Sequence, residues 1–182
     1  MTHHDNATRP ILQFGHPTLR QMANPVADLH DPEIQNLIDD LLTTLRSANG
    51  VGIAAPQVDA GLQIMVIASR PTPRYPNAPE MEPIALINPH IIDRSVEMEK
   101  GWEGCLSVPK YRGFVPRHKR ITVEYTDRQG QRQQAEFTDF VARIFQHEYD
   151  HFLGLVFLDR LESESDRVTA EQFKALFPET TG

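Results

Sequence analysis

No apolar run in the 182-residue chain approaches the roughly 20 residues a membrane-spanning helix needs, which argues against a place in the bilayer. The start, Met1-Thr-His-His-Asp-Asn, lacks the basic residues and apolar stretch of a signal peptide, and Asp5 argues against a transit peptide. The expected compartment is therefore the cytoplasm. A second cysteine is also missing, so no internal disulfide can form. That leaves Cys105 as either a buried apolar filler or a reactive or metal-binding thiolate. Positive charge is in short supply, 18 Lys and Arg against 25 Asp and Glu for a net −7, which argues against stable nucleic-acid binding. The local exception, Lys110, Arg112, Arg117, His118, Lys119 and Arg120, reads as a solvated loop and strand edge. Internal repeats and low-complexity tracts are absent.

What is present is the composition of an ordinary globular protein, 40% apolar and 24% charged, with a length that suits one domain over 1–182. Residues 31–49 read as a helix. Asp31 can cap it, Pro32 suits its first turn, Asn49-Gly50 ends it, and Ile34, Leu37, Ile38, Leu41, Leu42 and Leu45 form one apolar stripe. Strand-like segments follow at 62–68, 84–92 and 95–99, and the five prolines of 70–83 make that stretch a loop. Ile121, Val123 and Tyr125 alternate with polar residues before Asp127-Arg-Gln-Gly130 turns the chain back into 131–137, a hairpin pattern. A second helix is expected over 139–153 with Gly154 as its stop. A short third is expected over 169–176, where Thr169 and Gln172 have capping-box spacing. The pattern predicts an α+β fold: antiparallel or mixed β-sheets packed around a central metal-binding helix, with an N-terminal amphipathic helix and a short C-terminal one.

The metal enters through that second helix and its run Gln146-His-Glu-Tyr-Asp-His151. Histidines at i and i+4 stand one turn apart on one face, so both imidazoles can reach a single ion, with Glu148 beside it to handle a water proton. Catalytic sites of this kind usually take a third protein ligand and leave a position for water or substrate. Downstream the candidates are acids, Asp159, Glu162, Glu164, Asp166, Glu171 and Glu179, with no second motif to single one out. Upstream stands Cys105, in Glu103-Gly-Cys-Leu-Ser-Val-Pro109, flanked by a glycine just before a proline-bounded turn. A peptidase of the His-Glu-x-x-His type is a competing reading and needs the downstream ligand. A non-catalytic binding module has no use for Glu148.

Three separated motifs together resemble the peptide deformylase family, enzymes that remove the N-formyl group from new bacterial polypeptides. They are Gly50-Val-Gly-Ile-Ala-Ala-Pro-Gln57, Glu103-Gly-Cys-Leu-Ser107 and Gln146-His-Glu-Tyr-Asp-His151, in that order. The opening Phe14-Gly-His-Pro-Thr-Leu-Arg20 is also similar, and the resemblance runs from about residue 10 to Leu161. It implies Cys105, His147 and His151 as metal ligands, Glu148 as general base and then general acid, and the Gln57 amide with the Leu106 backbone N–H as oxyanion donors. A bound metal lowers the pKa of its water from 15.7 to about 7, so hydroxide is available for attack at neutral pH. The implied ion is iron(II) in the native enzyme, with zinc, nickel or cobalt as purified forms.

The implied substrate is a nascent N-formyl-methionyl polypeptide, met by a monomer in transient contact with ribosomes. Its methionine needs an apolar pocket. Phe140, Arg143 and Ile144 lie one and two turns before His147 and can wall it, with Val51, Gly52 and Trp102 nearby. The Arg143 stem is expected to line the pocket while its charged end reaches water, and Arg112 is expected at the rim near the substrate backbone. Asp150 resembles a family position that pairs with an arginine, here Arg117, bracing the motif helix against the sheet. The extension 162–182 departs from the family, because Glu162-Ser-Glu-Ser-Asp166 is acidic where many members carry a long basic helix.

Overall fold

The computed structural model describes residues 7–177, so the expectations placed on 1–6 and on Glu179 lie outside the described residues. Helix α1 spans Pro32–Ser47, capped by the Asp31 carboxylate on the Glu33 N–H. Strands β1 (Gly52–Ala54), β2 (Ile64–Ile67), β3 (Ile84–Arg94), β4 (Met98–Cys105), β5 (Val108–His118), β6 (Arg120–Thr126) and β7 (Arg132–Thr138) follow. Helix α2 (Asp139–Phe152), strand β8 (Arg167–Thr169) and helix α3 (Ala170–Leu176) complete the order. Gly154, at φ 69°, stops α2 where a side chain would be strained. The Thr169 capping box opens α3.

Two sheets form, one of five strands in the order β1-β2-β3-β6-β7 and one of three in the order β4-β5-β8. All their pairings are antiparallel. The expected α+β class holds, with α2 as the central helix. Strand β2 explains why 62–68 is apolar without alternation. Ile64 and Val66 face the cluster built with α1, while Met65 and Ile67 face the one built with α2. A strand covered on both faces has no polar side to show. On α2, the residues from Ile144 to Phe152 are buried except Tyr149, so this helix is enclosed rather than laid on a surface.

Two expectations about strands are corrected. The third strand was expected at 95–99, but Ser95 to Glu97 form the connection between β3 and β4. There the Ser95 hydroxyl donates to the Glu97 carbonyl (2.8 Å) and Val96 is fully exposed. Strand β4 begins at Met98 and runs to Cys105, its glycines hiding it from an apolar pattern. The stretch 110–120, read as a solvated loop and edge, is mostly β5. Pro109 and Pro116 masked it. Both lie outside Tyr111–Gly113, the part of β5 that also pairs with β8, so each prolyl residue has a side without a strand neighbour. No helix among the described residues is long and apolar enough to cross a membrane.

Candidate active site

The two histidines are carried by α2 and the cysteine by the last residue of β4. Helix α2 is tied to β5, the strand paired with β4, by Gln146. Its amide oxygen accepts from the His118 N–H (3.0 Å) and its amide nitrogen donates to the His118 carbonyl (2.9 Å). Cys105, at the other end of the β4–β5 ladder, and His147 and His151 present ligand atoms that lie within 4.8 Å of one another, all deeply enclosed. Asp159, Glu162, Glu164 and Asp166 sit elsewhere in ion pairs with Arg20, Lys100 and Arg167, and Glu171 is exposed on α3.

The donor set fits a divalent ion. The His147 Nδ1 is 2.9 Å from the Glu103 carboxylate, which fixes the tautomer that leaves Nε2 toward Cys105. The His151 Nε2 is 3.5 Å from the Cys105 sulfur. Burial, then His147 and Arg117, hold His151 well below the usual histidine range, so its imidazole is neutral as a ligand must be. Burial opposes charge on His147 as well, but Cys105 and Glu103 outweigh it and raise that group, surroundings that favour a cation. Among the described residues the buried Glu148 Oε2 and His151 Nδ1 have no hydrogen-bond partner. Buried polar atoms are rarely left so unless something else meets them.

Glu148 is enclosed beside these groups, and burial, with smaller influences from its charged neighbours, pushes its carboxyl up to about 7. Gly52 explains how it fits. A Cβ there would lie 2.6 Å from the Glu148 Oε1 and 2.7 Å from Ile144, so only glycine lets β1 pass this close. The Gln57 oxygen accepts from the Ala54 N–H (2.9 Å). That turns the amide nitrogen toward the Ser107 hydroxyl (3.2 Å) and the Cys105 sulfur (3.5 Å). A cleft opens over this group, lined in part by Gln57, Leu106, His147 and Glu148. Phe140, Arg143 and Ile144, which helix spacing points to, also line it, together with Val51, Gly52 and Trp102.

One arginine expectation is corrected. The Arg143 guanidinium is not free in solvent, its side chain being only 12% exposed. It turns onto the sheet, donating to the Val115 carbonyl (2.8 Å), the Glu99 carbonyl (2.7 Å) and Glu103 (3.0 Å). Carbonyl groups of β4 and β5 lie within reach of the end of the stem and fix the charge there. Arg112 folds over Gly104, itself on the cleft wall, and donates to the carbonyls of Pro109 and Tyr111. The expected Arg117–Asp150 pair is present and buried, at 2.7 Å. Arg117 also holds both oxygens of Glu103 at 2.9 and 3.0 Å.

Sequence reasoning missed several contributors. Glu103 stands in the second motif with no role of its own in the sequence. It lies two positions from Cys105 on a strand, so alternation could have shown both side chains on one face. Tyr75 comes from the proline-rich loop, accepts from the Gly104 N–H (3.3 Å) and packs against Phe140 with ring centroids 5.1 Å apart. No periodic signal marks it. An N-terminal strap joins the two donor loops. The Leu12 N–H donates to the Gln57 carbonyl (2.8 Å) and the Phe14 N–H to the Ser107 carbonyl (2.7 Å).

The family model described as polypeptide deformylase matches residues 8–167. Peptide deformylase 2 of a Nostoc species is 58% identical over 172 residues, which is 94% of this chain and 96% of that protein. Peptide deformylase 2 of Shewanella oneidensis is 44% identical over 169 residues, 93% of each. Among solved structures, a class I type b peptide deformylase from Acinetobacter baumannii bound to Met-Ala-Ser superposes with a TM-score of 0.84 at 42% identity, covering 86% of this chain and all of that one. A peptide deformylase from Synechococcus elongatus in complex with actinonin has a TM-score of 0.76 at 33% identity, covering 91% and 88%.

Proposed function

The chain belongs to the polypeptide deformylase family, a metal-dependent hydrolase that removes the N-formyl group from N-terminal formylmethionine, and on that premise we propose how its own residues do so. The observation that carries the reading is one buried group: a Cys/His/His ligand set closed to within 4.8 Å, with Glu148 beside it. Cys105, His147 and His151 hold the ion. When bound, the ion supplies a nucleophile from water at neutral pH and polarises the formyl carbonyl.

Glu148 takes the water proton and later delivers it to the leaving amine. Burial raises its carboxyl in the metal-free site, the direction that suits a group which both takes and gives a proton near neutral pH. The Gln57 amide N–H and the Leu106 backbone N–H stabilise the oxyanion. The Gln57 oxygen is already engaged by Ala54, so the donor end faces the site before substrate arrives. Val51, Gly52, Phe140 and Ile144, with the stem of Arg143, receive the methionine side chain. Arg112, folded over Gly104 at the rim, meets the substrate backbone.

Sulfur with two imidazoles suits iron(II) and zinc alike; we take iron(II) as the native ion, with zinc, nickel or cobalt able to replace it. We read the chain as one cytoplasmic, monomeric catalytic domain with its core over 10–161 and an acidic extension over 162–182. It meets nascent chains in transient contact with ribosomes. The test is an anaerobic assay of formyl-Met-Ala-Ser beside unformylated Met-Ala-Ser-Phe after reconstitution with each ion. Release of formate, with no cleavage of the second peptide and the highest turnover with iron(II), is the expected result. Internal peptide cleavage would return the site to the peptidase reading.

A further inference from the structure

An arginine on the wall of an apolar cleft is costly unless its charge is met by fixed partners. Arg143 is such a residue, its side chain only 12% exposed. It sits on α2 one turn before His147, and its guanidinium crosses to the three-stranded sheet. There it donates to the carbonyls of Glu99 on β4 (2.7 Å) and Val115 on β5 (2.8 Å), and to the Glu103 carboxylate (3.0 Å). Gly101 makes room, because a Cβ there would lie 2.8 Å from the guanidinium carbon.

The Glu103 carboxylate is the hinge of the arrangement. Its Oε1 accepts from Arg117 (2.9 Å) and Arg143 (3.0 Å), and its Oε2 from Arg117 (3.0 Å) and the His147 ring (2.9 Å). Each oxygen therefore has two donors, which sets the plane of the carboxylate and with it the orientation of the His147 ring. Cys105 ends β4, the strand that Arg143 grips, whereas His147 and His151 ride on the helix that Arg143 belongs to. We propose that Arg143 is a positioning residue. It ties the helix carrying the two histidines to the strand carrying the cysteine and, through Glu103, holds the His147 ring in its ligating orientation. The proposal rests on the reading of Cys105, His147 and His151 as metal ligands.

Zinc release from the zinc-loaded enzyme into excess 4-(2-pyridylazo)resorcinol tests it without reference to turnover. Arg143→Met keeps a stem against the cleft but lacks the guanidinium. It is expected to release zinc about 10-fold faster than the wild type, the lower end of what losing an outer partner of a ligating histidine costs. With formyl-Met-Ala-Ser, kcat falls while KM stays within about twofold, because the apolar wall survives. Arg143→Lys recovers part of the retention. Gly101→Ala leaves Arg143 in the chain but displaces its guanidinium, and it reproduces the faster release even where Arg143→Met fails to fold. His147→Ala is the control. If it releases zinc no faster than the wild type, the ligand reading fails and this proposal with it. If it releases zinc faster while folded Arg143→Met or Gly101→Ala retains zinc as the wild type does, the ligand reading stands and the role given to Arg143 is overturned.

Discussion

The two long helices cover opposite faces of β2 and meet opposite requirements. Where α1 meets the sheet the buried contacts are apolar, Leu37, Ile38, Leu41 and Leu45 with Ile53, Ile64 and Val66, and its buried Asp40 and Thr44 turn instead to the segment of Ala7 and Arg9. On α2 the buried set includes Gln146, His147, Glu148, Asp150 and His151. Apolar contacts need only volume and shape, and they tolerate exchange. Buried charges need named partners at hydrogen-bond distance, and here those come from β4 and β5 as Glu103 and Arg117. One face of the sheet therefore supplies stability, while the other spends specificity on a site.

Breaking the polar side should cost turnover, and the largest loss belongs to Glu148→Gln. Formate release should fall by about 10²–10⁴-fold, while elemental analysis finds the metal retained. Near-normal turnover would remove Glu148 from proton transfer. On the apolar side, Leu41→Ala should lower unfolding free energy in urea by about 2–5 kcal/mol, with kcat per folded molecule unchanged. A matching loss of kcat would mean the two faces are not separable.

Next in size comes Gln57→Ala, expected to reduce kcat by about 10²–10³-fold with little change in KM. If KM alone moved, Gln57 would be a binding residue rather than an oxyanion donor. A smaller effect concerns stability without metal. Burial raises the Glu148 carboxyl to about 7, so the folded apoprotein keeps a proton there that the unfolded chain gives up near its ordinary value of about 4.3. Its contribution to stability is complete below that lower value and is lost as pH rises through about 7. Apo Glu148→Gln should therefore gain on the apo parent between pH 5 and pH 8, by on the order of 2–3 kcal/mol in denaturant melts. A constant difference between the two pH values would contradict that burial. In Cys105→Ser, metal content after dialysis should fall, with affinity reduced by more than the roughly tenfold that loss of an outer partner costs. Unchanged content would take Cys105 out of the ligand set.

Helix α1 was legible because it prints its burial as a repeat of three and four residues, and α2 because His147 and His151 stand one turn apart; the caps of α1 at Asp31 and of α3 at Thr169 are local chemistry. Strand β5 was not, since Pro109 and Pro116 interrupt the pattern that a half-paired strand can nonetheless accommodate. The hairpin of β6 and β7 was, because its outer face stays polar. In the site, spacing on α2 placed Phe140 and Ile144 on the cleft wall. It misjudged Arg143, because spacing fixes where a stem begins and not where a five-donor guanidinium finds its acceptors.

By itself the sequence determined the helix that pairs His147 with His151, the presence of Glu148 beside them, the α+β class and the three motifs that mark the family. These depend on neighbours within a turn or on the order of residues along the chain. Only the tertiary structure decided that Cys105 comes within reach of both histidines, that Glu103 orients His147, and that Gly52 must lack a side chain to admit Glu148. Those contacts join residues tens of positions apart. Such distances close only when whole elements pack, and packing is set by all the side chains of β4, β5 and α2 together.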